Sequence, residues 1–509
     1  MSSPFGRSLS AHPDLAQQRK QSKELLRAFE AGNSEARARV RAALPDKKQI
    51  TLADAQFVLA REYGFTNWAA LKQHIDERVQ SARTAVQRVH DAFAQRDASA
   101  LKKILQTHPE LRARIHEPVF GFDAPAIVAF AWDRAMVDAL LDLGADPNQR
   151  SAWWAGPFHA LHFATGDAAE RLLAAGAIPD ACAASHLDRA ELLAQMIAED
   201  PSRVHERGGD GQTPLHFAQS RAAIDLLLDA GADIDARDVD HRSTAAEWML
   251  DRTRGAGRYD LARYLVERGA STDIFLAAAL GLTDRARTML ANDPGLLDER
   301  TGQGSYGEQP PSSSRIHTWT IGDGRSPLEV AAQFEHDETL RAMLAFATPL
   351  QQLRLAYRRG DEAAALALLR EHPSLTDSIS RQEHRTISDA AWEGDAKAVT
   401  LMLSLGFDPR TPGHDSGTAL HCAAWRGSVE TVATLLAHPE AAELIAVKDA
   451  HYGATPLGWC CHGSVHGDTT RDHAKVARLL LEAGARTGAD TEHASPEVEA
   501  VLASRPSTP

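Results

Sequence analysis

GTALHCAAWRGSVETVATLL, residues 417–436, writes out one structural unit: a cap, a short helix, a turn and a second helix. Thr418 can cap the first helix through its hydroxyl. Ala419 is the first helical residue, where other copies carry Pro, whose fixed φ suits that place. Leu420 points inward, and His421 can hydrogen-bond across to a neighbouring unit. Ala423 and Ala424 are small, so an adjacent helix can come close. Gly427 ends the helix, where the backbone needs a positive φ. Val429, Val432, Leu435 and Leu436 give the second helix an apolar stripe at helical spacing. One such pair cannot bury its own stripe; a stack of pairs can.

The wording recurs. DGQTPLHFA (210–218), GRSPLEVAA (324–332), RTISDAAWEG (385–394) and GATPLGWCC (453–461) repeat the first helix. LLDLGADPN (140–148), LLAAGA (172–177), LLLDAGADID (226–235), LVERGA (265–270), LMLSLGFDP (401–409) and LLLEAGA (479–485) repeat the end of the second. These phrases resemble the ankyrin repeat family over residues 82 to 490. The resemblance implies a right-handed solenoid of helix pairs with protruding finger loops, whose usual work is to bind another protein. First helices are expected near Ala82, Ala124, Pro157, Pro179, Thr213, Ser243, Asp273, Ser326, Pro349, Thr386, Thr418 and Thr455, about 12 pairs in all.

The expected fold is therefore all-α apart from the finger loops. Residues 1–80 read as a helical N-terminal cap region, 81–490 as the repeat array and 491–509 as a terminal helix with a frayed tail. Residues 1 to 14 are expected to be disordered. Ser34 can cap a helix after Gly32-Asn33, Thr51 to Asp54 reads as a capping box, and Thr66 or Asn67 can cap a helix holding Trp68, Leu71 and Ile75. ITLADAQFVLAREYGFTNWAALKQHI (50–75) resembles the helical leader found ahead of bacterial ankyrin arrays. A cover of this kind keeps the apolar end of a stack from water.

A longer period lies over the repeats. His108-Pro109, Asp200-Pro201 and Asp293-Pro294 follow second helices at a spacing of about 92 residues, and His372-Pro373 and His438-Pro439 continue the habit. Pro there stops the helix and stiffens the exit. Three insertions break the pattern: 252–258, 463–472 and the long TGQGSYGEQPPSSSRIHTWTIGDG (301–324). Loops of that length in compact arrays are functional or disordered. Tyr306, His317 and Trp319 argue against plain disorder in the long one.

Composition narrows the function. The chain has 509 residues and a net charge of −14, with a sequence pI near 5.9. Nucleic-acid binders normally show a basic face, which disfavours that class. Cys182, Cys422, Cys460 and Cys461 are too few for a disulfide framework and fit a reducing cytoplasm. No apolar run suggests a signal peptide or a membrane span. Phosphate-loop, dinucleotide, nucleophile-elbow and H-E-x-x-H motifs are absent.

Several residues deserve a chemical reading. His162, His216 and His421 share one repeat position and read as structural donors and acceptors. His159 and His162 make H-x-x-H without a zincin Glu. Cys460, Cys461, His462, His466 and His473 form the strongest metal candidate. Yet Cys460 and Cys461 align with Ala423 and Ala424, and adjacent helical residues diverge by about 100°. They read instead as small buried side chains, and no metal, cofactor or catalytic residue is assigned. Trp392, Trp425 and His462 share a position at the end of the inner helix, on the concave face in ankyrin-like stacks. Consecutive copies would make an aromatic row, read either as local packing or as a recognition strip. Trp153 and Trp154 divide the same way.

The function expected is a cytoplasmic, monomeric scaffold that holds a protein partner, without nucleic acid or membrane. Its binding residues are Trp392, Trp425 and His462 on the concave face, with Tyr306, His317 and Trp319 from the long loop. The alternative is an enzyme or small-molecule binder in the same groove, with His462, His466 and nearby acids as its candidates.

Overall fold

The computed structural model describes residues 5–7, 9, 15–251 and 256–504, with the backbone alone described at 77–83 and 256–257. The expected disorder at 1–14, most of the 252–258 insertion and the tail after 504 lie largely outside the described residues. The chain divides into two compact units, residues 1–270 with 309–316, and residues 271–308 with 317–509. Among the described residues both are helical, and extended pairing is limited to isolated bridges such as Arg150 with His159 and Arg237 with Thr244. Both of those close the stem of a finger loop.

The first unit opens with the helices Leu15–Glu30, Ser34–Ala43, Leu52–Glu62 and Trp68–Ala94. Asn33, not Ser34, caps the second of them by accepting from Ala36 N at 2.9 Å. The capping box at Thr51 and Asp54 is present, and Asn67 caps the fourth helix. Glu62 is buried and holds Arg39 through two contacts of 2.7 Å. Leu71 and Ile75 are sealed against Ala60, Tyr63, Phe65 and Trp68. A new helix near Ala82 does not appear. Residues 68–94 contain neither Gly nor Pro, so nothing breaks the helix there. Every other inner helix opens within three residues of its expected position, from Ala126–Ala129 to Pro456–His466.

The unit at 417–436 folds as read, with one refinement. The helix Ala419–Arg426 is capped jointly by Thr418 and His421. Thr418 N donates to His421 Nδ1 at 3.2 Å, and Thr418 Oγ1 bonds the same nitrogen at 2.9 Å. Nδ1 is therefore the acceptor, so the proton sits on Nε2, which donates to Ala454 O at 3.1 Å in the next finger loop. Thr213 and His216 repeat this, with His216 Nε2 reaching Ser243 O at 3.1 Å. Elsewhere a Glu or Gln replaces the imidazole, as in Ser326 with Glu329 and Thr348 with Gln351. Gly427 takes φ +67°, and a Cβ there would meet Arg471 Cβ at 2.7 Å, so both conformation and space demand Gly. Val432 and Leu435 of the helix Val429–Leu436 are fully buried.

The proline period has a structural meaning beyond stopping a helix. Pro109, Pro201, Pro294 and Pro373 each start a further short helix: Pro109–Arg112, Pro201–His205, Pro294–Asp298 and Pro373–Ser378. The residue before each Pro ends one helix and caps the next. Asp200 and Asp293 do this with side chains that accept from Ser202 N (3.0 Å) and Gly295 N (2.9 Å). Pro suits the first helical position because its missing N–H would have no partner there. Val204 and Leu297, on two of these extra turns, are buried.

In the second unit the inner helices Pro349–Arg358, Thr386–Glu393, Ala419–Arg426 and Pro456–His466 and the outer helices behind them enclose one core. Ala390, Ala391, Ala423, Ala424, Cys460 and Cys461 are the small residues in its seams.

Candidate functional site

Three inner helices present the aromatic row. Trp392 ends Thr386–Glu393, Trp425 ends Ala419–Arg426, and His462 sits near the end of Pro456–His466. Small buried residues on each helix allow the close approach. Gly463 goes further, since a Cβ there would stand 2.4 Å from Trp425 O. The rings of Trp392 and Trp425 lie 6.3 Å apart with planes 9° from parallel. Trp425 and His462 follow at 5.2 Å. The last inner helix does not stop at the place of Gly427 but continues to His466, whose ring lies 4.4 Å from His462. Partial desolvation and the neighbouring His466 hold His462 below the usual imidazole range.

The row borders a trough of about 330 Å³ that the sequence did not reveal in full. Trp459 and Tyr452 form a further part of its wall, with Asp415 and Asp490 at its edge. Trp459 is fixed by its Nε1, which donates to Asp449 Oδ2 at 2.9 Å. It fits because a Cβ at Gly417 would meet Trp459 Cη2 at 2.7 Å. Tyr452, on the finger loop, is 64% exposed. Asp490 arrives from beyond the last outer helix. Its Oδ2 accepts from Thr455 N (2.9 Å) and Thr455 Oγ1 (2.7 Å), in the place where other copies use the His or Glu of the helix itself. That position is Gly458 here, which leaves the cap open to an outside carboxylate.

A larger groove of about 640 Å³ lies on the other side of Trp392, which lines both spaces. Its walls are charged. Arg354 pairs with Glu383 at 2.6 Å, and Arg358 with Glu329 at 2.8 Å. Arg325 pairs with Glu393. His414 stands 3.5 Å from Asp389, and its ring lies 4.9 Å from that of Trp392. Arg300 has no carboxylate partner among the described residues. Its Nη1 donates to Glu299 O at 2.8 Å and Leu297 O at 3.1 Å. Burial, beside Arg358 and Arg354, depresses its pKa.

The long loop is ordered. Thr301 ties its ends together, with its N donating to Arg325 O at 3.1 Å and its Oγ1 to Gly322 O at 2.6 Å. Gln303 and 322–324 at its base line the groove beside Trp392. Tyr306 and His317, read from sequence as partner-facing, are 6% and 0% exposed. Their rings pack on Phe275, at 4.7 and 5.6 Å, and on each other at 5.4 Å. Both aromatics are spent on holding the loop. Trp319, at 57% exposed, faces solvent. Residues 309–316 belong to the first unit, where Ser313 N donates to Asp240 Oδ1 (3.1 Å) and Ile316 N to Ser243 Oγ (3.1 Å).

Other chemical candidates have structural work. His162 Nε2 lies 3.0 Å from Asp180 Oδ1, and burial lowers the pKa of His159 to about 4. Cys460 donates to His473 O at 3.3 Å, and His473 Nε2 donates to Trp425 O at 2.9 Å. Burial pushes the Cys460 thiol well up and that of Cys461 to about 12. Trp153 Nε1 donates to Asp210 Oδ1 at 2.8 Å, while Trp154 is exposed.

A family model described as ankyrin repeats (three copies) matches residues 387–491, the stretch that holds Trp392, Trp425, Trp459 and His462. A single ankyrin repeat model matches 210–239. The chain is similar to ankyrin repeat and SAM domain-containing protein 6 of Mus musculus, 34% identical over 119 residues. That match covers 23% of this chain and 13% of the relative. The Rattus norvegicus protein of the same name is 29% identical over 159 residues, covering 28% of this chain and 17% of the relative. A serine/threonine-protein kinase, VIK, of Arabidopsis thaliana is 40% identical over 57 residues, 11% of this chain and 13% of the relative. The chain thus spans less than a fifth of the relatives named here. The chain carries ankyrin repeats, at 210–239 and 387–491, and its aromatic row lies within the second stretch.

Proposed function

We propose that the chain is an interaction scaffold that holds a protein partner along the inner-helix face of residues 386–466. The observation that carries this reading is the row of Trp392, Trp425 and His462 between an aromatic trough and a charged groove. Large, rigid rings beside bondable charges are the composition of binding hot spots. Trp319 and the base of the long loop extend the surface. Ankyrin repeats in this chain and in its relatives support a protein as the partner.

The same reading takes the helices from Leu15 to the first part of Trp68–Ala94 as a cap, as in the bacterial arrays with a helical leader, on a stack of about 12 pairs. Four buried, unpaired cysteines support a reducing cytoplasm. Among the described residues no helix is long and apolar enough to cross a membrane. A monomer that contacts neither nucleic acid nor lipid completes the proposal.

Capture of partners on the intact chain, followed by mass spectrometry, tests the reading. Wild type should retain a protein that Trp392→Ala and Trp425→Ala, checked for folding, release. A partner retained equally by all three places the site elsewhere.

A further inference from the structure

The trough has a chemistry of its own. Trp392, Trp425, Trp459 and Tyr452 wall it, its carboxylates are Asp415 and Asp490, and among the described residues no lysine or arginine lines it. Asp490 spends Oδ2 on Thr455, while its Oδ1 carries no hydrogen bond among the described residues. Asp415 is exposed, and its carboxylate bonds nothing among the described residues. Ring faces carry negative potential, so aromatic walls and two carboxylates with unused oxygens favour a cation and disfavour an anion. A neutral apolar ligand would fill the space but leave both carboxylates unanswered. The volume, about 330 Å³, is at the small end for ligand sites and suits one side chain rather than a cofactor. The net charge of −14 would draw a basic partner in the same direction.

We infer that the trough receives a cationic side chain, lysine or arginine, from an extended basic segment of the partner, an inference that rests on the scaffold reading above. The cation sits against the Trp425 and Trp392 faces, with Asp415 as its exposed counter-charge.

Acetylated, amidated pentapeptides Gly-Ser-X-Ser-Gly test this, with X lysine, trimethyllysine, arginine, norleucine or glutamate. Each is titrated to millimolar concentration against the intact chain, read by indole N–H resonances. The cationic peptides should bind about tenfold or more tightly than norleucine, and glutamate most weakly. Lysine against trimethyllysine shows whether a methylated ammonium is the better guest. Asp415→Asn, which breaks no hydrogen bond or ion pair among the described residues, should shrink the advantage of the cations and leave norleucine unchanged. Trp425→Leu should abolish it. Equal binding of norleucine and lysine, or no saturable binding of any cation, overturns the inference. If capture of the partner still depends on Trp425 in that event, the scaffold reading stands without the cation. If cations bind but capture ignores Trp392 and Trp425, the cation site stands and the scaffold surface lies elsewhere.

Discussion

A Cβ on Gly458 would stand 2.6 Å from Oδ2 of Asp490. The absence of a side chain at the third position of the helix Pro456–His466 is what admits this carboxylate to Thr455, from 35 residues away in sequence. The contact ties the C-terminal segment to the helix cap at the edge of the aromatic trough.

Gly458→Ala should therefore push Asp490 off the cap. Losing a helix cap costs about 1–2 kcal/mol, and Asp490→Ala should cost about the same. The two together should fall well short of additive, because both break one contact. Thermal unfolding of the two single variants and the double checks this. Full additivity would mean that Gly458 acts through something other than Asp490.

The row itself was legible because a repeat turns one sequence position into a line on a surface. Trp392, Trp425 and His462 could be aligned without coordinates. Trp459 could not: it falls where Cys422 stands in the previous copy and reaches the trough only because Gly417 leaves room. Asp490 lay outside any repeat position. Tyr306 and His317 were misread because loop aromatics were weighed as contact area, while Phe275 offered them a buried seat. The unbroken helix at 68–94 was legible in principle, from the lack of Gly and Pro.

Stability should fall with acid in a definite window. Burial lowers the pKa of His159, His216 and His421 to about 4 each. Rings depressed in this way bind fewer protons folded than unfolded. Their contribution is intact above the unfolded pKa of about 6.5 and is lost as pH falls through about 4, on the order of a few kcal/mol per ring. Asp210, raised by burial, opposes this in part. Melting temperature should drop between pH 6.5 and 4. The double variant His216→Gln, His421→Gln should flatten the drop, since Gln351 already serves the same cap at Thr348. An unchanged slope would contradict the assignment.

Removing residues 1–66 should uncover Leu71 and Ile75, both buried. The truncated chain should self-associate, read by light scattering, because an uncapped stack end is an exposed apolar patch. A monodisperse truncation with unaltered unfolding would count against a cap.

The cysteines should behave as small apolar residues. Cys460→Ala with Cys461→Ala should keep the fold, since Ala423 and Ala424 fill the aligned places. Native protein should resist maleimide, as all four thiols are buried, and react fully once denatured. Zinc at one per chain, lost in the double variant, would overturn this account.

The most direct measurement pairs affinity with stability in Trp392→Ala, Trp425→Ala and Trp319→Ala, using the captured partner. Trp319→Ala is preferred to deleting the loop, which would strip Phe275 of its cover. If Trp392 and Trp425 are binding hot spots, each change should weaken the partner by about 2 kcal/mol or more, roughly thirtyfold, with most of the thermal stability kept. Lower melting temperatures with the affinity of the folded fraction untouched would make the row internal packing and contradict the central claim.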